Sequence, residues 1–353
     1  MTKPNIRAYT KDELRGFLEE LGEPGFRWKQ VYQWLWQKRV RSFDEMTDLP
    51  KDLRAKLQEN LRLPSITIDT ALKSRDGTIK FGFALEDGHK VEGVLIPAGK
   101  RMTACISSQV GCSLSCNFCA TGTMDLRRNV RFDEIFDQVN IIEEAAIREY
   151  GQHLTNIVFM GMGEPLLNYK NVHKSIERLT AEDGRGLSPQ RITVSTVGVS
   201  KMMKKLADDQ TGANLALSLH AAIDDKRSRI MNINDSNPLA ELKDALRHYI
   251  DATGNMVFLE YLLLGNLNDG YEDLDALKEF CDGLKCKVNL IEYNPVSHAD
   301  FERAPDERSE WFRDQLGKRG VRASIRRSRG MDIDAACGQL ANKINEGKQD
   351  VAQ

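Results

Sequence analysis

Three cysteines within eight residues are the clearest chemical feature of the sequence. Cys112, Cys116 and Cys119 follow one another at spacings of four and three residues. A structural zinc site normally takes four protein ligands, and no second pair of cysteines or histidines lies at a suitable spacing. Three thiolates can hold a cubane iron–sulfur cluster and leave one iron free to bind a small molecule. The spacing therefore favours a cluster over zinc.

A glycine-bearing turn follows a predicted buried strand at residues 156–160. Gly161, Gly163 and Glu164 stand in it, and Leu166 occupies the place of the third glycine of a dinucleotide fingerprint. Two glycines after a buried strand let the backbone approach a ligand closely, although a simple tight turn has the same composition. The residues alone leave both interpretations open.

Four further cysteines lie outside the cluster motif. Free cysteines are usually small buried hydrophobic residues, and this is the preferred interpretation of Cys281 and Cys286. Cys105 precedes the cluster by seven residues, and Cys337 lies in a segment with glycine and aspartate, outside the strand–helix series. An odd total of seven cysteines, three of them crowded together, suits metal binding better than a disulfide framework.

The elements that must position these residues fall into four predicted regions. Residues 1–63 are a small helical domain that opens with a capping box at Thr10 and Glu13, and residues 64–100 are a β-hairpin around Asp87-Gly88. Residues 101–342 alternate strands and helices, and residues 343–353 are expected to be a frayed polar tail. The strands of the alternating region are predicted at 103–107, 156–160, 191–195, 214–219, 256–262, 288–293 and 322–325. Repeated β-α units indicate an α/β fold with a parallel sheet, either doubly wound or closed into a full or partial barrel.

The cysteine motif, with Phe118 just before its last member, resembles that of the radical S-adenosylmethionine superfamily. The resemblance implies a (β/α) partial barrel and a [4Fe-4S] cluster whose free iron binds S-adenosyl-L-methionine, which is then cleaved to a 5′-deoxyadenosyl radical. It also implies that Gly163 and Glu164 bind the methionyl amino group. Further positions match residues that hold the cofactor in one family: Ser195, Ser218, Leu219, His220 and Asn294. By itself, His220 would be interpreted as a structural histidine.

Over nearly the whole chain the sequence is similar to the radical RNA methyltransferases that act on adenine C2. The similarity is carried by residues 105–112, 160–165, 218–220 and 332–340. It implies methylation of the peptidyl transferase centre adenosine of 23S rRNA and of the adenosine 3′ of the anticodon in tRNA, with two S-adenosylmethionine molecules consumed. Adenine C2 is electron-poor and cannot attack a sulfonium methyl group directly, whereas a carbon radical can add to it.

The same resemblance implies roles for three more residues. Cys337 would carry the methyl group and form the methylene radical, and Glu92 would accept the C2 proton. Cys105 would then attack the Cys337 sulfur, release the RNA and leave a Cys105–Cys337 disulfide. The family also implies an electron donor such as a flavodoxin system.

Composition adds little to the choice of function. The formal net charge is −2, the pI is about 6.4 and 41% of the residues are hydrophobic, which is ordinary for a soluble protein and gives no global sign of nucleic-acid binding. The longest apolar runs are too short to cross a bilayer, and no secretory signal is visible, so we expect no membrane partner and a cytoplasmic location.

Local basic runs nevertheless predict an RNA groove. One run lies between Pro24 and Ser42 with aromatic residues interleaved, of which Trp28 and Tyr32 are expected in the core. The basic residues of the three runs are Arg27, Lys29, Lys38, Arg39 and Arg41; Arg127, Arg128 and Arg131; and Lys318, Arg319, Arg322, Arg326, Arg327 and Arg329. Basic groups can pair with phosphates, and a base must be exposed before its C2 can react.

Three alternatives stay open at this point. The first is a related resistance methyltransferase that acts on C8 of the same rRNA adenosine; Pro165 after Glu164 favours C2, because alanine is expected there in the C8 relatives. The second is a non-catalytic RNA-binding module stabilised by a metal, which gives no role to Cys105 and Cys337. The third is a radical activase of another protein, which needs no methyl-carrying cysteine.

Overall fold

Three helices form the N-terminal part of the computed structural model, which describes residues 3–341. They are α1 (Lys11–Glu20), α2 (Arg27–Trp36) and α3 (Lys51–Asn60). The predicted capping box is confirmed: Glu13 N donates to Thr10 Oγ1 over 3.2 Å, and Thr10 N donates to Glu13 Oε2 over 2.7 Å. Tyr32 is buried and Trp28 packs against the core, as expected.

The N-terminal helices dock on the first helix of the alternating region, α4 (Phe132–Tyr150). The Trp36 ring, which is only 2% exposed, stacks on Phe132 with ring centroids 5.9 Å apart and meets Phe136 edge-on at 5.1 Å. A buried ion pair joins Arg7 Nη1 to Asp137 Oδ1 over 2.7 Å. This contact makes the helical part continuous with the main core.

Four strands follow and form an antiparallel meander. They are β1 (Thr67–Lys73), β2 (Ile79–Ala84), β3 (Lys90–Ala98) and β4 (Arg101–Cys105), and each pairs with the next in the chain. The predicted hairpin corresponds to β2 and β3, with Gly88 in the left-handed conformation that its turn requires. Gly82 faces Glu92 in the register of these two strands.

The sheet continues from β4 with parallel strands. These are β7 (Asn156–Phe159), β8 (Ile192–Thr196), β9 (Asn214–Ser218), β10 (Val257–Leu263), β11 (Cys286–Glu292) and β12 (Ala323–Arg326). A short antiparallel pair, β5 (Gln109–Val110) and β6 (Arg128–Asn129), lies apart from this sheet. The remaining helices are α5 (Tyr169–Thr180), α6 (Ser200–Asp208), α7 (Asp224–Ile230), α8 (Leu239–Thr253), α9 (Tyr271–Cys281) and α10 (Asp306–Lys318).

The strand order decides between the two architectures that the pattern left open. Neighbours in the sheet follow chain order from β1 to β12, apart from β5 and β6. Each helical crossover therefore steps in the same direction, and since such crossovers share one hand, the helices cover one face only. A doubly wound sheet would reverse direction and carry helices on both faces. Within the described residues β12 does not pair with β1, so the α/β fold is the expected partial barrel.

Some features of the structure were not predicted from the sequence. Helices α6 and α7 and the β5–β6 pair were missed because they are short, and α7 depends on tertiary hydrogen bonds from Arg227. One hydrophobic core extends from Ile6 to Leu340, so the boundaries at 63 and 100 stay predictions. The predicted polar tail lies outside the described residues. None of the described helices has the length and apolar character needed to span a bilayer.

We expect Trp36→Ala to lower the free energy of unfolding by about 3–5 kcal/mol, because it opens a cavity between the N-terminal helices and α4. The matched control is Trp34→Ala on the same helix, where the side chain is only partly buried. Urea denaturation of both variants measures the difference. Equal losses in the two variants would contradict the docking role of Trp36.

Candidate active site

A cavity of about 950 Å³ opens where the parallel strands end. Loops at the carboxyl ends of parallel strands converge on one edge of the sheet, where this fold class builds its sites. Its walls bring together most of the predicted site residues, which are Cys112, Cys116, Cys119, Gly163, Glu164, Ser195, Ser218, His220, Asn294 and Cys337. Residues far apart in the sequence therefore share one cavity.

The cysteine motif occupies a loop that folds back on itself between β5 and β6. Cys112 N donates to Met124 O over 3.2 Å, and Cys119 N donates to Cys116 O over 3.1 Å. Gly111 has a φ of +77°, and a Cβ there would stand 2.1 Å from Asp125 O, so only glycine allows the closure. The fold thus directs three thiols into the cavity from a short segment.

Burial raises the pKa of the thiols in this loop. The pKa of Cys112 rises to about 11, and those of Cys116 and Cys119 are also raised by desolvation. Binding of a metal must therefore displace thiol protons. Among residues 3–341 no group of three His, Cys, Asp or Glu side chains converges on one metal ion. An iron–sulfur cluster does not require three side chains to converge on one ion, because each thiolate binds a separate iron atom.

Glu164 is a buried carboxyl group at the cavity wall. Its Oε1 accepts from Leu166 N over 3.0 Å, and its Oε2 accepts from Val197 N over 3.0 Å. Burial raises its pKa from the ordinary 4.5 to about 7. The preceding Gly163 has a φ of +89°, and a Cβ there would meet Gln109 Cβ at 2.3 Å. The turn therefore needs glycine at this position to present the carboxyl group.

His220 is neutral, and its hydrogen bonds define its tautomer. Desolvation by burial, with the Arg227 charge nearby, lowers its pKa to about 3. Its Nδ1 accepts from Leu262 N over 3.1 Å, so the proton resides on Nε2. The Phe118 ring meets the imidazole edge-on at 4.6 Å. The ring is locked by protein contacts while it lines the cavity.

Leu219 differs from the other predicted cofactor residues, because it does not line the cavity. Its side chain is fully buried, its N–H donates to Glu260 O over 2.9 Å, and its carbonyl accepts from Arg227 Nε over 3.0 Å. The structure therefore gives Leu219 a place in the scaffold beneath the site.

Asn294 supplies an observation that points to a ligand. Its Nδ2 donates to Cys337 O over 3.1 Å, whereas its buried Oδ1 has no hydrogen-bond partner within the described structure. A buried polar atom without a partner is costly, and here it faces a cavity with three thiols and a carboxyl group. This donor and acceptor set fits both an iron–sulfur cluster and an amino acid portion of a ligand.

A second cavity, of about 1070 Å³, adjoins the first. Cys337, Gly338, Met160 and Ile291 line both cavities, and Cys105 lines the second. Cys337 is exposed although protein atoms crowd around its thiol and desolvation raises its pKa. Burial also raises the pKa of Cys105, to about 12.

The disulfide implied by the resemblance is not present. All seven cysteines are free thiols, and Cys105 and Cys337 share a cavity in the reduced form. Cys281 is buried and Cys286 half-buried, in the helix α9 and at the start of β11, as expected for structural thiols.

Glu92 lines neither cavity. Its side chain is buried, its Oε1 pairs with Lys80 Nζ over 2.9 Å, and its Oε2 accepts from Ala341 N over 2.9 Å. It therefore lies behind the segment that carries Cys337. The sequence indicated a carboxylate on a strand but not this pairing.

Two residues of the site were missed in the sequence. Glu260 lines the first cavity and pairs with Arg326, which lines the second, over 3.2 Å between Oε2 and Nη1. A signal existed for Glu260, since a carboxylate interrupts the otherwise apolar strand β10 and buried charges need a partner. Arg326 had been assigned only to a basic run.

The basic runs are less available than the sequence indicated, because carboxylates pair with many of their residues, some from nearby in the sequence and others from distant segments. Arg41 pairs with Glu144, Arg128 with Glu134 and Arg319 with Asp275. Further pairs involve Arg27, Lys38, Arg131, Arg326 and Arg327. A run without acidic neighbours in sequence is thus not a free basic surface. Arg101 and Arg329, at the second cavity, have no carboxylate partner among the described residues.

Two family models match the chain. One, described as "Ribosomal RNA large subunit methyltransferase N-terminal domain", matches residues 4–63, and "Radical SAM superfamily" matches residues 106–281. The first region coincides with the helical part and the second with most of the barrel and the cysteine loop.

Curated relatives and a solved structure match nearly the full length. "Probable dual-specificity RNA methyltransferase RlmN" from Cytophaga hutchinsonii is 52% identical over 341 residues, 97% of this chain and 93% of the relative. "Dual-specificity RNA methyltransferase RlmN" from Anaeromyxobacter dehalogenans is 43% identical over 98% of this chain and 93% of its own. The crystal structure of a radical SAM methyltransferase from Sphaerobacter thermophilus superposes with a TM-score of 0.90 at 41% identity, covering 96% and 99% of the two chains.

We expect Glu164→Gln to change the pH dependence of stability in the cluster-free protein. Because the folded-state pKa of Glu164 is raised from 4.5 to about 7, the folded state holds a proton that the unfolded state has released between these values. Stability therefore falls by about 3 kcal/mol as pH rises through this window, and the variant escapes this fall.

Thermal unfolding from pH 4.5 to 8 measures the difference between Glu164→Gln and the wild type. The matched control is Glu143→Gln: because the pKa of Glu143 is lowered below its ordinary 4.5, its contribution to stability changes only under more acidic conditions, and the difference from the wild type should stay constant between pH 4.5 and 8. A difference for Glu164→Gln that stays constant with pH would contradict the raised pKa.

Proposed function

The chain belongs to the RlmN family of radical SAM RNA methyltransferases, and from this premise we propose that it methylates C2 of adenine in two kinds of RNA. The substrates are the peptidyl transferase centre adenosine of 23S rRNA and the adenosine 3′ of the anticodon in tRNA. One methyl group is transferred through Cys337, with two S-adenosylmethionine molecules consumed.

The position of Cys337 carries this proposal. Its side chain lies where the cavity with three thiols meets the cavity that contains Cys105 and several arginines. A residue that must receive a group from a cofactor and deliver it to RNA needs access to both sides. A passive metal-stabilised module would need neither Cys337 at this junction nor a second thiol beside it.

We propose that Cys112, Cys116 and Cys119 hold a [4Fe-4S] cluster, with S-adenosylmethionine in the remaining part of the cavity. The chemistry that this group supplies when bound is one-electron cleavage of S-adenosylmethionine to methionine and a 5′-deoxyadenosyl radical. Gly163, Glu164 and Asn294 would bind its amino acid portion; Ser195, Ser218 and His220 line the same cavity. The neutral imidazole can donate from Nε2 without adding charge.

Cys337 acts twice in the proposed reaction. As a thiolate it first takes a methyl group from one S-adenosylmethionine, which leaves as S-adenosylhomocysteine. Loss of one hydrogen atom from this methyl group, to the 5′-deoxyadenosyl radical, then gives a methylene radical on the Cys337 sulfur. Addition of its carbon to adenine C2 joins the RNA to the protein. The Asn294 amide, bound to the Cys337 carbonyl, orients this segment at the cavity.

Release of the product needs a proton acceptor and a second thiol. Glu92 is proposed to accept the C2 proton, although in the structure it is bound to Lys80 and Ala341 N. The adduct carries one unpaired electron, which would have to pass to a one-electron acceptor, and the bound cluster would supply that role. The Cys105 thiolate would attack the Cys337 sulfur, and the departing carbon would take up a proton and become the new methyl group. The sulfur–sulfur bond formed in this step would exist only during turnover.

RNA is proposed to enter through the second cavity. Arg101 and Arg329 are exposed at this cavity and can contact phosphates, and Arg326, which is also exposed, lies near both thiols. The target base must leave its stack to reach Cys337, so backbone contacts at the mouth would hold the flanking nucleotides. A cytoplasmic location and a reducing partner such as a flavodoxin system belong to the same proposal.

We expect the cluster-loaded wild type, given a reductant, methyl-deuterated S-adenosylmethionine and an rRNA fragment or tRNA, to produce labelled 2-methyladenosine. Cys337→Ala should produce none, because it cannot carry the methyl group. Mass spectrometry of digested RNA and of the intact protein measures both the product and methylated Cys337.

The matched control is Cys281→Ala, which removes a buried thiol that lines neither cavity and should keep the activity. Label at C8 would show the resistance-type reaction instead. Cofactor cleavage without any methylated RNA would reject the proposed substrate, and absence of cleavage would favour a non-catalytic module.

We expect Arg101→Ala and Arg329→Ala each to weaken RNA binding irrespective of sequence. Loss of one phosphate contact should reduce the slope of log K against log salt by about 0.7–0.9. Filter binding over a series of salt concentrations measures the slope. Arg319→Ala is the control, because Arg319 pairs with Asp275 at the opposite end of the barrel; an equal change there would contradict a local RNA contact.

A further inference from the structure

Lys80 is a buried residue to which the proposed mechanism gives no role. It lies on β2, diagonally across from Glu92 on β3, since Lys80 pairs with Val94 and Gly82 with Glu92 in the register. Its ammonium group contacts Glu92 Oε1 at 2.9 Å and donates to Asp334 O over 3.1 Å. The two side chains of the pair are 2% and 1% exposed.

The pair holds both ends of the segment that carries Cys337. Lys80 binds the backbone at Asp334, three residues before the cysteine, and Glu92 binds the backbone N–H of Ala341, four residues after it. Asp334 has a φ of +51°, a left-handed conformation that few residues other than glycine adopt. The contact from Lys80 therefore fixes the chain where its direction changes sharply.

The middle of the same segment is held from the opposite side. Ala120 N donates to Gly338 O over 2.7 Å, and Thr121 Oγ1 donates to Leu340 O over 2.6 Å. Both donors follow Cys119 directly, so this side belongs to the cysteine loop. The segment is thus hydrogen-bonded both to the β2–β3 hairpin and to the loop proposed to hold the cluster.

Charge explains why Lys80 and Glu92 act as one unit. Either charge, if buried alone, would be strongly destabilising, so each requires the other. Buried ion pairs contribute little net stability relative to apolar residues of similar size, and a fixed geometry is one reason to retain them. Here that geometry sets the distance between Glu92 and the segment with Cys337.

We propose that Lys80 is a positioning residue of the methyl transfer, on the premise of the proposed function. It holds the Cys337 segment and the Glu92 carboxylate in one arrangement, so that the radical formed at Cys337 meets its substrate. A loosened segment would leave cofactor cleavage intact and reduce the fraction of cleavage events that end in methylated RNA. A purely structural lysine would not change that fraction.

The test compares coupling in Lys80→Met, Lys80→Arg and the wild type, all cluster-loaded. The measured quantity is 5′-deoxyadenosine formed per methylated adenosine at saturating RNA. We expect Lys80→Met to raise this ratio about tenfold or more, since displacements of about 1 Å can cost about 100-fold in rate. Lys80→Arg keeps a cation and should restore the ratio towards that of the wild type.

Arg185→Met is the matched control for a lost buried ion pair. Arg185 pairs with Glu143 over 2.6 Å with side chains 7% and 4% exposed, in the connection that enters β8 at the end of the sheet away from the site. It should lower thermal stability without changing the ratio. If Lys80→Met does not fold, Lys80→Gln, which is shorter and neutral, takes its place with the same expectation.

A wild-type ratio in the folded Lys80 variant would overturn the inference, and so would an equal rise in Arg185→Met. Failure of the proposed function has a different signature, because the wild type itself would then methylate no RNA and the ratio would have no reference value. A raised ratio in Lys80→Met with rescue by Lys80→Arg supports the positioning role.

Discussion

The site depends on one constraint: the short segment around Cys337 must lie between two cavities without a regular element of its own. Polar contacts hold it from two sides. Lys80 and Glu92 bind its ends from the hairpin, whereas Ala120 and Thr121 bind its middle from the cysteine loop. Backbone groups that neither helix nor sheet satisfies need such partners, because unpaired buried polar groups are costly. The antiparallel extension thus serves the site directly.

In the parallel part of the barrel, buried hydrogen bonds hold the polar groups of the first cavity in fixed positions. Arg227 is fully buried and donates to the carbonyls of Leu219 and Ser218, which satisfies backbone groups where β9 ends. His220 is held neutral by burial, and Glu164 takes two backbone N–H donors. Groups fixed in this way lose little conformational freedom when a ligand binds, which favours affinity.

The positive charge available at the second cavity depends on which basic side chains lack a carboxylate partner, and not on how many basic residues the sequence contains. Many residues of the basic runs form ion pairs, and the partners of Arg41, Arg319 and Arg327 come from distant segments. Arg101 and Arg329 remain without such partners among the described residues and mark the mouth beside Cys337. A focused contact with phosphates needs only a few such cations near the reacting base.

The sequence by itself determined the local features. The cysteine spacing, the capping box at Thr10, the hairpin, and the strands within two residues of their ends follow from side-chain type and periodicity, which are local properties. Most of the predicted site residues, identified by the cysteine spacing and by motif resemblance, also line the first cavity. Only the tertiary structure decided the strand order, the burial of the Leu219 side chain, and the pairing of Glu92 with Lys80 and of Glu260 with Arg326. It also decided which residues of the basic runs are paired with carboxylates. These depend on contacts between residues far apart in the chain, and no local pattern encodes which distant group will neutralise a buried charge.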